Sequence, residues 1–227
     1  MLYVVPTPIG NLEDMTARGL RALKESAVVF CEDTRHTRML MSHFGLSTPL
    51  ERYDENDPRS VEKLLERVRR GDVVSLVSDG GCPGLSDPGR RAVAAARREG
   101  LPMTSLPGPS AVAAAVAGSG LPGDSFLFLG FLPRSSGKRR RALEEVKTLE
   151  RTIVVYESPF RVLELLDDAQ AALGPDAQCV AARELSKIHE EYVRGTVASV
   201  RAAFASRPEI LGEFVILFHP DKEPAHA

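Results

Sequence analysis

Cysteine is scarce in this 227-residue sequence, and neither sign of charge is in large excess. The three cysteines are odd in number and far apart, so they form neither a CxxC zinc pair nor an evident disulfide framework. We therefore expect a reducing, cytoplasmic environment. With 29 basic and 31 acidic side chains the net charge is -2, which excludes a protein that binds nucleic acid over its whole surface but permits a local basic patch.

Long apolar runs of the kind that cross membranes are also missing. The longest uncharged stretch, residues 100–123, contains four prolines and five glycines, which interrupt any continuous helix. The first residues lack the basic and apolar regions of a secretory signal. We expect no membrane partner.

Several catalytic signatures are absent as well. The sequence has no GxxxxGK[ST] motif for P-loop phosphate chemistry, and no HExxH motif accompanies His36 or His189, so no metal is expected. Residues 118–123 do spell GxGxxG, but they follow an alanine-rich helix rather than a strand, and Pro122 interrupts the next turn. We interpret this segment as an interdomain linker rather than a dinucleotide site.

The first half of the chain repeats one pattern: a short β-branched run, a loop rich in glycine, proline or aspartate, and then a helical stretch. The predicted strands are 2–5, 28–30, 73–77 and 103–106. The predicted helices are 15–26, 60–70 (with Ser60 as N-cap), 89–99 and 110–117. This alternation predicts a parallel sheet, in which ligands bind beyond the carboxyl ends of the strands.

The pattern changes near residues 118–123, and strands then outnumber helices. The predicted strands are 125–131, 152–156, 179–182, 191–194 and 213–218, and the predicted helices are 137–150 and 159–173. The fold class is therefore α/β with two domains, a parallel Rossmann-like sheet in 1–110 and a mixed sheet with helices in 111–220. The boundary lies near 118–123 or one helix earlier. The polar tail, 221–227, is expected to fray.

The loop at 78–89 is the most informative segment, because it packs glycine, proline and aspartate together after an apolar strand. Glycine allows a ligand to approach the backbone closely, and proline fixes the shape of the loop. Asp79 and Asp87 would repel a phosphate, so the loop suits a cation or a diol, as in the sulfonium, ammonium and ribose of S-adenosyl-L-methionine. The alternative is a surface turn with Asp87 as a helix N-cap.

Two charged segments each leave two interpretations open. Residues 32–38 contain two acids and then several cationic groups directly after a strand. This order is typical of a functional segment at a strand end and equally of a solvated helix start, where acids complement the helix dipole. Between residues 134 and 151 cations outnumber acids seven to three, which suits either phosphate contacts or a solvated helix face.

At these residues the chain resembles the tetrapyrrole-methylase superfamily of S-adenosylmethionine-dependent methyltransferases. Within it, the sequence is similar to bacterial enzymes that 2'-O-methylate the ribose of a decoding-centre cytidine in 16S ribosomal RNA of the small subunit. The motifs that carry the resemblance are VPTPIGNLEDMT, EDTRHT, VSDGGCPGLSDPG, LPGPSA, YESPFR, ARELSK and GEFVIL. The resemblance implies two α/β domains with the cofactor held between them, and a homodimer.

The resemblance also implies roles for individual residues. The cofactor-binding residues would be Pro8, Ile9, Gly10, Asp79, Gly81, Pro83, Ser110, Ala111, Tyr156, Ala182 and Gly212. The catalytic candidates are Glu32 or Glu157 to orient the hydroxyl, and Arg35 and Arg183 to position the RNA backbone. The RNA-binding candidates are Arg134, Lys138, Arg139, Arg140 and Arg141. Phe160 stands where the family often has histidine, so no imidazole acts there.

Two alternatives stay open. One is a sister methylase that modifies a carbon of a corrin or porphyrin, for which the basic segment at 134–151 would have no purpose. The other is a non-catalytic ribosome-assembly or RNA-binding module that keeps the fold.

Overall fold

The computed structural model describes residues 1–220, and the predicted fraying tail at 221–227 lies outside that range. The chain divides into two compact units, Met1–Ser110 and Ala111–Ala227. Among the helices of residues 1–220, none has the length and apolar character needed to cross a membrane.

The first unit is a parallel five-stranded sheet in the order β3-β2-β4-β1-β5. Its strands are β1 (Leu2–Val4), β2 (Val28–Cys31), β3 (Leu50–Arg52), β4 (Val74–Leu76) and β5 (Met103–Ser105). Its helices are α1 (Ala17–Glu25), α2 (Thr34–His43), α3 (Pro58–Arg69) and α4 (Arg90–Arg98), with a 3-10 turn at Leu12–Asp14. The prediction of a parallel sheet is confirmed.

Both faces of this sheet are covered, which explains why β2 is apolar throughout. Val28 and Phe30 pack in a core with residues of α3 and α4, whereas Val29 and Cys31 pack in a second core with residues of α1 and α2. Successive side chains of a strand point to opposite faces, so a fully buried parallel strand has no polar alternation.

The predicted N-cap at Ser60 is wrong, and so is the alternative interpretation of Asp87 as an N-cap. Helix α3 begins two residues before Ser60: the Asp57 side chain accepts a hydrogen bond from Arg59 N at 3.0 Å, and Pro58 occupies the first turn. Proline suits that place because its missing N–H would have no partner in the helix. Asp87 does not cap α4, whose N-cap is Gly89 without a side-chain hydrogen bond.

The second unit is a mixed five-stranded sheet in the order β6-β7-β10-β8-β9. Its strands are β6 (Phe126–Phe131), β7 (Thr152–Glu157), β8 (Gln178–Arg183), β9 (Glu191–Thr196) and β10 (Phe214–His219). Its helices are α5 (Ala111–Ser119), α6 (Ser136–Lys147), α7 (Val162–Leu173) and α8 (Val197–Ala205). Strands β6 and β7 are parallel, and the remaining pairs are antiparallel, as the prediction of a mixed sheet requires.

Residues 118–123 connect α5 to β6 inside the second unit, so they do not link the two units. The glycines there have a packing role. A Cβ at Gly118 would lie 2.4 Å from the Tyr192 hydroxyl oxygen, and that hydroxyl donates a hydrogen bond to Ala114 O at 3.3 Å. Glycine is therefore needed for α5 to approach β9.

The strand directions bring several chain segments to one edge of the second sheet. Phe214, at the start of β10, pairs with both Glu157 and Arg183, the last residues of β7 and β8, and Arg183 pairs with the first residue of β9. The end of β6 lies there too, because Phe131 pairs with Tyr156. We call this edge the β7 carboxyl edge.

Candidate functional site

In the first unit the unusual loops meet at one edge of the sheet. Strands β2, β4, β1 and β5 are consecutive neighbours and run parallel, so the segments that follow them lie side by side. These segments are 6–10, 32–35, 77–89 and 106–110, and together we call them the loop cluster.

Hydrogen bonds to main-chain carbonyl oxygens hold the loop cluster together. Thr7 N donates to Gly81 O at 3.0 Å and Gly81 N donates to Thr7 O at 2.8 Å, while Thr7 Oγ1 donates to Ser78 O at 2.9 Å. On the other side, Cys82 Sγ donates to Pro109 O at 3.3 Å. The loop after β4 is therefore joined to the loops after both β1 and β5.

Glycine allows this close approach. A Cβ at Gly80 would lie 3.3 Å from Pro8 O, tighter than an ordinary contact, and Gly81 has a φ of +83° that other residues rarely adopt. The structure thus brings the predicted cofactor residues of 8–10 next to those of 79–83, with Ser110 at the end of the neighbouring loop. Ala111 is the first residue of α5.

Carboxylates give the loop cluster a negative potential. Burial, followed by the charges of Glu32 and Asp79, raises the pKa of Asp87 to about 6. Loss of hydration, followed by the charge of Asp79, raises the pKa of Glu32. Asp87 and Glu32 are thus harder to ionise, first because of burial and then because other carboxylates are near, so a bound cation would stabilise their ionised forms. Asp33 is also in contact, since its N donates to Asp79 Oδ1 at 3.4 Å.

Arg35 lies on the exposed surface beside this group. Its Nη2 is 2.8 Å from Asp33 Oδ2, and its backbone N donates to Asp33 Oδ1, which also caps α2. These hydrogen bonds lower the pKa of the Asp33 carboxyl far below its usual range. Residues 32–38 therefore include the start of a helix with an acidic N-cap, as one of the two interpretations of this segment predicted. The same turn places Glu32 and Arg35 at the loop cluster.

In the second unit, Glu157 does not occupy the position expected of a group that orients a substrate hydroxyl. Glu157 is only 3% exposed. Its Oε1 accepts a hydrogen bond from Ser158 N at 2.9 Å, and its Oε2 lies 3.3 Å from Arg161 Nη2. Burial raises the pKa of this carboxyl. We remove Glu157 from the catalytic candidates, because a side chain inside the protein does not reach a ribose.

Arg183 is likewise occupied by the protein itself. Its Nε donates to Leu211 O, and its Nη1 donates to Glu191 Oε1 at 3.0 Å. Arg207 donates to the same Glu191 carboxylate, so the three side chains form one network. This network connects the end of β8 to the start of β9 and to the segment before β10. The predicted role of Arg183 in holding an RNA phosphate is not supported by this arrangement.

The remaining cofactor candidates of the second unit lie at or near the β7 carboxyl edge. Tyr156 and Ala182 are the second-last residues of β7 and β8, and Val215 pairs with both of them across the sheet. Gly212 precedes β10 with a φ of +97°, and a Cβ there would lie 2.6 Å from Glu184 Cγ. Any other residue at this position would adopt a strained backbone conformation and displace the Glu184 side chain.

The basic segment contains one buried arginine among exposed ones. Arg139 has a side chain only 2% exposed, and its Nε and Nη2 both lie 2.6 Å from Asp168 Oδ2. The structure therefore removes Arg139 from the predicted RNA contacts. The candidates that stay exposed are Arg134, Lys138, Arg140 and Arg141.

Sequence reasoning missed Arg161, which follows Phe160 in the YESPFR motif. Its Nη2 donates to Leu132 O at 3.2 Å and to Pro133 O at 3.3 Å, besides approaching Glu157. The motif marked the segment as important but gave no sign that this arginine would join two loops. Among residues 1–220, no group of three His, Cys, Asp or Glu side chains is arranged to hold a metal ion.

Comparison with known proteins defines the class first. The family model for tetrapyrrole (corrin/porphyrin) methylases matches residues 1–201. Solved structures share the fold: the methyltransferase CobJ has a TM-score of 0.71 at 19% identity, covering 96% of this chain and 93% of that one. The uroporphyrin-III C-methyltransferase of Thermus thermophilus, solved with S-adenosylhomocysteine, has a TM-score of 0.63 at 21% identity, covering 95% and 96%.

More similar sequences narrow the class. A protein of Halalkalibacterium halodurans named ribosomal RNA small subunit methyltransferase I is 43% identical over 98% of this chain and 76% of its own length. The protein of that name from Thermotoga maritima is 42% identical over 95% of this chain and 96% of its own length. The chain belongs to the tetrapyrrole methylase family and, within it, to the group of ribosomal RNA small subunit methyltransferase I. The resemblance seen in the sequence and its two-part α/β fold are confirmed.

Proposed function

We propose that this protein is an S-adenosyl-L-methionine-dependent methyltransferase that methylates the ribose 2'-hydroxyl of a decoding-centre cytidine in 16S ribosomal RNA. The observation that carries the proposal is the 43% identity over 98% of the chain to a protein named ribosomal RNA small subunit methyltransferase I. The small ribosomal subunit is its substrate, the cytoplasm its location, and a homodimer its assembly.

The loop cluster fits the cofactor chemically. A sulfonium and an ammonium are both cations, and the pKa values of Asp87 and Glu32 are raised by an excess of negative charge that a cation would offset. The residues of the first unit that would contact the cofactor are Pro8, Ile9, Gly10, Asp79, Gly81, Pro83 and Ser110. Those of the second unit are Ala111, Tyr156, Ala182 and Gly212. The bound cofactor supplies an activated methyl group.

The chain's own residues then orient the substrate. The bound cofactor would give up its methyl group to the ribose oxygen and leave as S-adenosylhomocysteine, and the hydroxyl proton would pass to a carboxylate or to solvent. A ribose hydroxyl is barely acidic, so most of the rate comes from holding the two reacting atoms in line. Glu32 is the proposed acceptor, because it is exposed at the loop cluster and its raised pKa makes it a better base. Arg35 is proposed to position the RNA backbone.

The exposed cations of α6 and the preceding loop are proposed to contact RNA phosphates. Arg134 and Lys138 are exposed, and Arg140 lies at the edge of the buried pair, 3.5 Å from Asp168 Oδ1. Arg141 is exposed but pairs with Glu145 at 2.9 Å, so a phosphate there would have to compete with that carboxylate. A local group of this kind is compatible with a net charge of -2 over the whole chain.

One experiment tests the function directly. The purified protein is incubated with cofactor labelled on the methyl group and with either small ribosomal subunits from cells lacking this protein or a tetrapyrrole precursor. We expect label on the ribose of a single cytidine, located by mass spectrometry of RNA fragments. Label on the tetrapyrrole alone would overturn the proposal. Absence of cofactor binding by calorimetry at near-millimolar protein would instead favour a non-catalytic RNA-binding module.

A further inference from the structure

Large apolar side chains are exposed at the β7 carboxyl edge. Phe160, in the segment after β7, is 87% exposed, and Phe131, the last residue of β6, is 61% exposed. Single exposed apolar residues are common on protein surfaces and need no explanation. Two exposed phenylalanines in neighbouring segments are a different case, because each one forgoes the burial that would stabilise the fold.

Arg161 fixes the two segments to each other. Its guanidinium donates to Leu132 O at 3.2 Å and to Pro133 O at 3.3 Å, so the residue after Phe160 is bonded to the residues after Phe131. The buried Glu157 carboxylate lies 3.3 Å from the same Nη2 and holds the guanidinium from inside the protein. The exposed ring of Phe160 is therefore displayed on a well-anchored turn.

Further aromatic rings continue from Phe131. The Phe131 and Tyr156 ring centroids are 5.5 Å apart, and those of Tyr156 and Phe128 are 4.9 Å apart. We call Phe128, Tyr156 and Phe131 the aromatic strip. Phe128 and Tyr156 are partly buried, whereas Phe131 at the open end of the strip, like Phe160 in the neighbouring segment, is largely exposed to solvent.

Positive charge lies next to the open end of the strip. The chain runs from Phe131 through Pro133 directly to Arg134, and the first turns of α6 carry Lys138 and Arg140, all three exposed. Exposed rings beside cations are the combination with which proteins bind single-stranded nucleic acid: bases stack on the rings and phosphates meet the cations. The centre of an interface between two protein chains is instead depleted of charge.

We propose that Phe160, together with Phe131, stacks on unpaired bases of the substrate RNA. This inference rests on the proposed function, because it assigns the RNA-contacting rings of the same enzyme. It makes Phe160 a substrate-positioning residue. It also gives the Glu157–Arg161 pair a purpose: the pair holds in place the turn that presents the ring.

The first test compares the affinities of the wild type and of correctly folded variants for unmethylated small subunits. Phe160→Ala is expected to weaken binding by roughly fivefold to a hundredfold, the range for loss of one stacked base. Phe160→Tyr keeps a ring and is expected to bind as the wild type does. Leu149→Ala is the matched control, because Leu149 is also an exposed apolar residue, 47% exposed, but lies before β7 at the opposite end of the strand. Affinity for the cofactor should stay unchanged in all three variants.

The second test uses the absence of tryptophan from the sequence. Phe160→Trp introduces a single fluorescent reporter, and stacking on a base is expected to quench its emission when subunits are added. Leu149→Trp provides the control and should show no quenching.

The outcomes separate this inference from the proposed function. If the wild type methylates subunits but Phe160→Ala binds them equally well and Phe160→Trp is not quenched, the stacking role alone is overturned. If the wild type leaves the RNA unmodified, the proposed function fails first. A lower molar mass of Phe160→Ala in light scattering, with binding lost in proportion, would show that the rings lie between two copies of the chain and would overturn the proposal.

Discussion

The Arg139 guanidinium and the Asp168 carboxylate form a buried ion pair between α6 and α7, with Nε and Nη2 both 2.6 Å from Oδ2. Ser136 Oγ donates to the other carboxylate oxygen at 2.7 Å, so both oxygens have partners. A buried charge is tolerated only when it is paired in this way. The pair holds in place the helix that carries the exposed cations.

Arg139→Ala is therefore expected to destabilise the protein rather than to weaken RNA binding. Removing the arginine leaves the buried Asp168 carboxylate with only the Ser136 hydroxyl and the more distant Arg140, at a cost of up to about 3–5 kcal/mol in the free energy of unfolding. Arg141→Ala is the control, because its pair with Glu145 is exposed and worth about 0.5 kcal/mol or less. Urea unfolding of both variants measures the difference, and equal midpoints would contradict the account.

The raised pKa of Asp87 predicts a pH-dependent cost to stability. Its pKa rises from the ordinary value of 3.8 to about 6 in the folded protein, chiefly because of burial. Well below pH 3.8 both folded and unfolded states are protonated and no cost arises, whereas the cost grows as pH rises through 3.8 towards 6 and is complete above about 6. At full strength it corresponds to about 3 kcal/mol, which solvent screening at this half-buried position reduces to about 1–2 kcal/mol.

Asp87→Asn should thus stabilise the protein without cofactor by about 1–2 kcal/mol at pH 7.5, and the gain should shrink as pH falls towards 4. Urea unfolding at several pH values between 4.5 and 8 measures it. A gain that is independent of pH would show that the carboxylate charge is not its cause.

Asp79→Asn is expected to lower affinity for S-adenosyl-L-methionine by about tenfold to a hundredfold, since a hydrogen bond to a charged group contributes about 1.5–3 kcal/mol. The fold should be kept, because Asp79 accepts only one long hydrogen bond, 3.4 Å from Asp33 N, among those described for residues 1–220. Asp124→Asn changes the same chemistry at an exposed position of the second unit and serves as the control. Calorimetric titration with the cofactor gives both affinities, and equal values would remove Asp79 from the binding site.

Composition predicted the loop cluster well, because glycine, proline and aspartate shape a loop through their own backbone and side-chain preferences. The position of each loop followed from the parallel sheet, whose central strands β2 and β4 are buried along their whole length. Strand β3 was missed because its three residues, Leu50–Arg52, show neither an apolar run nor a clear alternation. The start of α3 could have been found, since Asp57-Pro58 is a typical N-cap followed by proline.

The partners of charged side chains could not be predicted in the same way. Four consecutive cations at 138–141 look alike in the sequence, and only the position of Asp168, 29 residues beyond Arg139, determines which one is buried. The same holds for Arg183, which is bound by Glu191 and by the carbonyl of Leu211, 28 residues away. The sequence pattern identified the cations, but tertiary packing determines which of them are exposed to solvent.

Glu32 and Glu157, the two carboxylates considered for the hydroxyl, should respond to substitution in opposite ways. Glu32→Gln removes an exposed acceptor, so kcat should fall by about a hundredfold. The free energy of unfolding should stay the same or rise slightly at neutral pH, because the raised pKa of Glu32 means that its ionised form costs stability. The acidic limb of the pH–rate profile should disappear, because the glutamine has no proton to lose. Single-turnover methylation of small subunits across pH measures both effects.

Glu157→Gln should instead loosen the turn after β7, because Arg161 loses the buried carboxylate charge that faces it. Its effect on methylation should then appear mainly in KM for the small subunit, since the Phe160 ring is held less firmly, and the pH of the acidic limb should not move. If Glu157→Gln abolished kcat with unchanged stability and KM, the buried carboxylate would have to reach the substrate, and Glu32 would no longer be the proposed base.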